Sequence, residues 1–164
     1  MDKLREIKSI DITKDAVRPH LSLEFRTTNG RKIFVLQEDG EEIRDLAYCC
    51  VAFCDKVPTN EKELEEYSNP TGKIAIAYTV WSTEWRKGAG RDIILAIREK
   101  LIEDTERLFG VERMITLSPL TNMAKRFHER NGAKLLNHND ESYNFEYNLN
   151  EDKKRRNGKC DRCW

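Results

Sequence analysis

The stretch KIAIAYTVWSTEWRKGAG spans residues 73–90. Ile74 to Val80 are apolar or small and predict a strand. The strand breaks at Trp85-Arg86-Lys87-Gly88-Ala89-Gly90, and a helix is predicted to follow at once. Ile93, Ile94, Ile97, Leu101, Ile102 and Leu108 recur at helical spacing, and Gly110 supplies the stop. A strand feeding a glycine-rich loop at a helix N-terminus is an anion-binding design. The helix dipole and unpaired backbone N–H groups both favour a phosphate there. Glycine lets the backbone approach a ligand closely, because it lacks a Cβ.

Downstream, Val111 to Leu117 predicts a strand. Ser118-Pro119 lead into a second helix, Leu120 to Arg130, capped by Ser118 or Thr121 and stopped by Asn131-Gly132. Ala133 to Asn137 and Tyr143 to Leu149 read as two closing strands. Upstream, Leu4 to Ile12 alternates weakly, as an edge strand or an arm, and Asp15 to Pro19 is a turn. Leu21 to Thr27 (LSLEFRT) alternates apolar and polar, which predicts a half-buried strand. Asn29-Gly30 is a two-residue hairpin signal that joins it to Lys32 to Gln37. Asp39-Gly40 then turns the chain into a long apolar strand, Ile43 to Cys54. Between these halves, Thr59 or Asn60 caps the acidic helical turn EKELEEY, and Ser68, Asn69, Pro70 and Gly72 end it. That segment is a solvated helix or a flap over a cleft. The expected fold class is α/β, an α+β mixed sheet. It has an antiparallel N-terminal meander, parallel central strands and two helices after the loop. Residues 1–149 would form one domain, and 150–164 a basic, aperiodic tail.

Lys plus Arg and Asp plus Glu number 29 each. The zero net charge gives no global argument for nucleic acid or an anionic membrane. No apolar run approaches the ~20 residues that span a bilayer. The N-terminal MDKLREIKSIDI lacks an apolar signal core, and five cysteines is an odd number. Both point to a reducing cytoplasm. Cys160-x-x-Cys163 has metal-ligand spacing, and Cys49, Cys50 and Cys54 could complete a zinc set. The apolar context of those three favours core thiols instead, and no metal is expected. Lys153 to Arg156 suits either contact with nucleic acid or an acidic partner, or simple solubility.

The second half resembles the GNAT (GCN5-related N-acetyltransferase) superfamily. Family members have a strand ending in valine, then Arg/Gln-x-x-Gly-x-Gly/Ala, then a helix. Here Val80 is followed at that spacing by WRKGAG, with Gly88 and Gly90 at the glycine places. Trp85 stands where Arg or Gln is usual, and Arg86 sits one place later. The later helix of the family reads Asn-x-x-Ala-x-x-x-Tyr-x-x-x-Gly-Phe, and this chain reads TNMAKRFHERNGA. Ala124, Gly132 and Ala133 match, Thr121 takes the asparagine place with Asn122 beside it, and His128 takes the tyrosine place. The closing strand YNFEYNL is also similar.

The resemblance implies an acetyl-CoA site. The pyrophosphate would lie on the amides of Arg86, Lys87, Gly88, Ala89, Gly90 and Arg91. The pantetheine arm would pair with the strand edge at Tyr78, Val80 and Trp81, where the two parallel strands splay. An amine acceptor would attack the thioester directly, in a ternary complex. A backbone N–H near Val80 or Trp81 would hold the oxyanion. His128 would protonate the thiolate, with Ser118, Thr121 or Tyr147 as substitute hydroxyls. Glu24, Glu84 and Glu146 are candidate bases by residue type alone. The family places two helices between its first two strands. A tight Asn29-Gly30 hairpin would remove them, which suggests an open cleft and a macromolecular acceptor, or cover by a second subunit in a homodimer. The alternative function is a GNAT-fold binding module without catalysis. Acylation of nucleic acid or its bound aminoacyl group is a third, drawn from the tail charge.

Overall fold

The computed structural model describes residues 2–104 and 110–149. The expectations for Leu108, the basic tail, Cys160 and Cys163 lie outside them. The described residues form an eight-stranded mixed sheet. β1 (Asp2–Ile7), β2 (Lys32–Glu38), β3 (Arg44–Cys54) and β4 (Ile74–Ser82) pair antiparallel in that order. β4 then runs parallel to β5 (Arg113–Thr116), from Ile74 opposite Arg113 to Ala77 opposite Thr116. β8 (Ser142–Tyr147) lies antiparallel to β5, to the two-residue β6 (Ser118–Pro119) and to β7 (Lys134–His138). The mixed sheet and its central parallel pair follow the sequence expectation.

Helices cover both faces. On one, α3 (Ala89–Asp104) buries Ile93, Ile94, Ile97 and Leu101 against Phe34, Leu36, Val51 and Ala75. α4 (Asn122–Arg130) adds Phe127 to the same cluster. On the other, α1 (Leu23–Thr27) and α2 (Glu61–Tyr67) pack Leu23, Phe25 and Leu64 near Ile33, Cys50, Ile76 and Tyr78. Each buried aliphatic side chain contributes roughly 1.5–3 kcal/mol by leaving water. Asn60 caps α2 and Thr121 caps α4 through their side-chain oxygens.

The prediction of a strand over Leu21 to Thr27 is wrong: the segment is α1. Seven alternating residues fit a helical turn as well as a strand, and Ser22 decides between them by accepting the Phe25 amide at 3.0 Å. The Asn29-Gly30 turn is real but reverses the chain out of a helix, with φ of 54° and 83°. Gly30 is required twice over, since a Cβ there would also lie 2.6 Å from the Pro70 Cα. A 3-10 turn (Ile12–Lys14) and α1 therefore stand between β1 and β2. The inference of an uncovered cleft, and the macromolecular acceptor drawn from it, falls with the hairpin. The three-strand meander survives with β1 as its first member.

Candidate active site

The centre of the site is where β4 and β5 part. The last parallel contact is the Leu117 amide donating to the Ala77 carbonyl at 3.0 Å. At the same level β4 carries a bulge: Cys50 faces Thr79 and Val51 faces Ala77, so Tyr78 has no partner on β3. A bulge turns one residue out of the alternation. Here Tyr78 packs into the α1 face, and Thr79 also turns that way, donating its hydroxyl to Asp15 at 2.8 Å. Beyond it, β4 keeps β3 on one side through Ser82 and, among the described residues, has no strand on the other. Alternate amides of that edge face the gap.

The α3 face of the gap is a backbone site. Gly88 has φ of 82°, which a side chain would strain by roughly 1–2 kcal/mol. The Arg91 and Asp92 amides turn back to its carbonyl at 3.1 and 3.4 Å. α1, α2 and α4 each have a side-chain cap, whereas α3 begins on this glycine with no such cap among the described residues. Its first amides are thus available to an anion. Val80 and Phe127 pack beside Gly90, which brings α4 against the loop.

The predicted charges divide. Arg86 is turned away from the loop and held by Asp2 at 2.6 Å, Glu38 at 2.7 Å and Asp92 at 3.6 Å. Those carboxylates raise its already high pKa, Asp2 foremost. Lys87 and Arg91 are exposed and have no ion pair among the described residues. Trp85 is 53% exposed beneath the Arg44 guanidinium, 4.3 Å from its ring centre. Trp81 packs on Tyr48 with ring centres 5.2 Å apart and planes tilted by 36°.

His128 lies inside, 5% exposed and stacked on Phe145 at 5.4 Å. Burial pulls its pKa down to about 4, so the imidazole is neutral. Nδ1 is 2.7 Å from the Tyr147 hydroxyl, which also receives Asn131 Nδ2 at 3.4 Å. In the tautomer where Tyr147 donates to Nδ1, the ring proton is on Nε2. Ser118 is buried and donates to Thr116 Oγ1 at 2.8 Å, which in turn accepts the Phe145 amide. Its hydroxyl is committed to joining β5 to β8. Thr121 accepts the Ala124 amide as the α4 cap, and Asn122 is exposed on the first turn.

Of the candidate bases, Glu146 is held by Arg113 through two bonds of 2.8 Å, while Glu24 and Glu84 are exposed. Cys49, Cys50 and Cys54 are free and buried, and burial pushes the Cys50 and Cys54 thiols up to about 11. No cluster of three metal-binding side chains occurs among the described residues. No helix among them is long and apolar enough to cross a membrane.

The other face of the gap holds a network that sequence reading passed over as a turn. Asp15 and Arg26 are both 0% exposed and bond at 2.8 Å. Asp15 also accepts the Val17 and Arg18 amides at 3.0 and 2.9 Å. So fixed, Arg18 reaches into the fork, donating to the Tyr78 carbonyl at 2.7 Å and the Leu117 carbonyl at 3.0 Å. Its remaining nitrogen bonds Glu61, whose other oxygen meets His20 Nε2 at 2.7 Å. An open cleft of about 500 Å³, lined by Arg18, Glu61, Leu117, Glu141 and Ser142 among others, lies against this end of the fork. A second cavity, of about 190 Å³, sits at the far end of α3, away from the loop.

No protein-family model matches the chain, and no curated protein matches its sequence. Solved structures do. The loading GNATL domain of CurA from Lyngbya majuscula aligns with a TM-score of 0.65 at 13% identity, over 92% of this chain and 99% of that one. AtaTR bound with AcCoA aligns at 0.61 and 11% identity, over 92% and 95%. AtaT complexed with acetyl-methionyl-tRNAfMet aligns at 0.57 and 11% identity, over 93% and 98%. The strand fork, the uncapped helix and these alignments agree: the chain has the GNAT fold.

Proposed function

We propose that this protein is an acyl-CoA-dependent N-acyltransferase that moves an acetyl group from acetyl-CoA to an amine. One observation carries the reading: β4 and β5 part beside a helix whose glycine-led N-terminus has no side-chain cap. An anion on the first amides of α3 and an extended thioester arm along the free edge of β4 suit this geometry together. AtaTR has been seen with AcCoA, and AtaT with an acetylated aminoacyl-tRNA, which supports acyl chemistry on this fold and a macromolecular acceptor as one option.

In this reading Gly88, Ala89 and Gly90 hold the pyrophosphate through backbone N–H groups, since the Arg91 amide is already bonded to the Gly88 carbonyl. Lys87 and Arg91 supply the charge that Arg86 does not. The amine attacks the thioester carbonyl, and gap-facing amides between Tyr78 and Trp81 stabilise the oxyanion. A neutral His128 donates a hydrogen bond from Nε2 to the departing sulfur, oriented by Tyr147 through Nδ1. Transfer is direct, with no covalent enzyme intermediate.

Calorimetry with acetyl-CoA tests the reading, and micromolar binding is expected. His128→Ala should lower turnover about 100-fold, within the usual range for a proton-handling group, while acetyl-CoA affinity stays nearly unchanged. The second reading is a binding module that has lost catalysis. The Arg86 carboxylate cage and the histidine in the tyrosine place favour it. Absence of acetyl-CoA binding would decide for that module.

A further inference from the structure

Parting two neighbouring strands leaves carbonyls and amides without partners, and an unpaired buried carbonyl is costly. At this fork the carbonyls are provided for. Arg18 Nε donates to the Tyr78 carbonyl of β4 at 2.7 Å, and Nη2 donates to the Leu117 carbonyl, just past β5, at 3.0 Å. In a continued parallel ladder the Leu117 carbonyl would take an amide of β4. Here it takes a guanidinium N–H, one step beyond the last rung, where the Leu117 amide reaches Ala77. Nη1 bonds Glu61, so one planar group serves three acceptors in three directions. The Arg18 side chain is only 10% exposed. Its backbone is pinned on both sides, the amide on Asp15 at 2.9 Å and the carbonyl on Arg26 Nη2 at 2.7 Å. Asp15 Oδ1 also accepts the Thr79 hydroxyl at 2.8 Å, which ties β4 beyond the bulge to the same anchor.

We infer that Arg18 is a positioning residue that keeps β4 and β5 apart: it pairs with a carbonyl from each strand and so leaves the β4 amides beyond Ala77 for the thioester arm of an acyl-CoA. This rests on the acyltransferase reading above. The strands then have two arrangements. In the open one Arg18 holds both carbonyls. In the closed one the Leu117 carbonyl pairs with a β4 amide, and the slot for the arm is gone. Positive charge alone does not keep the slot open. A lysine ammonium is a point charge and lacks the planar fork that spans both carbonyls. The anion site at the start of α3 is built from other backbone and stands in either arrangement.

Calorimetry on wild type, Arg18→Ala and Arg18→Lys tests this, with acetyl-CoA and with adenosine 3′,5′-bisphosphate as ligands. The bisphosphate is the nucleotide end of the thioester without its arm. A fork that stands open a tenth of the time binds the arm about tenfold more weakly. Both variants should therefore lose about tenfold in acetyl-CoA affinity and stay within about twofold of wild type for the bisphosphate. Arg18 lines the cleft, so a small cation can enter in its place. Methylguanidinium should restore part of the loss in Arg18→Ala, and methylammonium should not. Acetyl-CoA affinities within about twofold of wild type in both variants overturn the inference. So does an equal loss for the two ligands, or loss of the folded state in both variants, since either shows a structural role alone. Rescue by methylammonium as good as by methylguanidinium also overturns it. A wild-type protein that binds no acetyl-CoA overturns the acyltransferase reading, and the role of Arg18 with it.

Discussion

The two sides of the strand fork are built from different materials. On the α3 side the site is backbone: a glycine at positive φ, an uncapped helix and the free edge of β4. On the α1 side it is made of side chains drawn from distant parts of the chain: Asp15, Arg18, Arg26, Glu61 and Thr79. Backbone sites tolerate exchange of side chains around them but not loss of their glycine. Side-chain sites behave the opposite way, because each polar group is sealed in and depends on its partner.

The largest effect is expected in the buried pair. Arg26→Ala removes the charged partner of the fully buried Asp15 and should cost about 3–5 kcal/mol in chemical denaturation. A loss under about 1 kcal/mol, typical of an exposed pair, would erase the contrast between the two sides. Next comes pH. His128 binds its proton near pH 4 in the folded chain, and an unfolded histidine does so near pH 6.5. Between these values the unfolded state holds more protons, so stability is full above the upper value and falls as the pH drops towards 4. The fall should reach about 3 kcal/mol, and denaturation midpoints of wild type and His128→Gln should converge on acidification.

On the backbone side, Gly88→Ala should cost about 1–2 kcal/mol of strain, and calorimetry should show weaker acetyl-CoA binding. Space is not the obstacle, since a Cβ there meets nothing within 4 Å. An unaltered affinity would mean that the loop conformation is not what holds the anion. The smallest effect belongs to Arg86. Its partners are solvent-accessible, so Arg86→Ala should change stability by less than about 1 kcal/mol, and less again in high salt.

The same division explains what could be read from the sequence. Five aliphatic residues at helical spacing, Ile93, Ile94, Ile97, Leu101 and Ile102, marked the course of α3, and Gly88-Ala89-Gly90 announced its start. The Asp-Pro segment before α1 gave no such signal. Asp15 and Arg18 in a turn look like surface charges until the fold buries them, and nothing local shows that Arg26 will find Asp15. LSLEFRT misled because its alternation is too short to distinguish a period of 2 from one of 3.6. The bulge at Tyr78 depends on register with β3, which leaves no mark in composition. His128 was located by its spacing in α4, but its burial beneath Phe145 and its bond to Tyr147 come from β8. Ser118 was singled out for its hydroxyl, and only the pairing of β5, β6 and β8 shows that Thr116 claims it.

The Arg18 clasp also bears on the order in which the molecule can be completed. Arg18 bonds Tyr78 across 60 positions and Leu117 across 99. During synthesis from the N-terminus neither partner yet exists when Arg18 emerges, and the second arrives only after α3 and β5 have been made. Until then Asp15 and Arg26 have each other but no strand fork to dock against. The segment on the α1 side of the fork is among the first made, yet it is one of the last able to take its place.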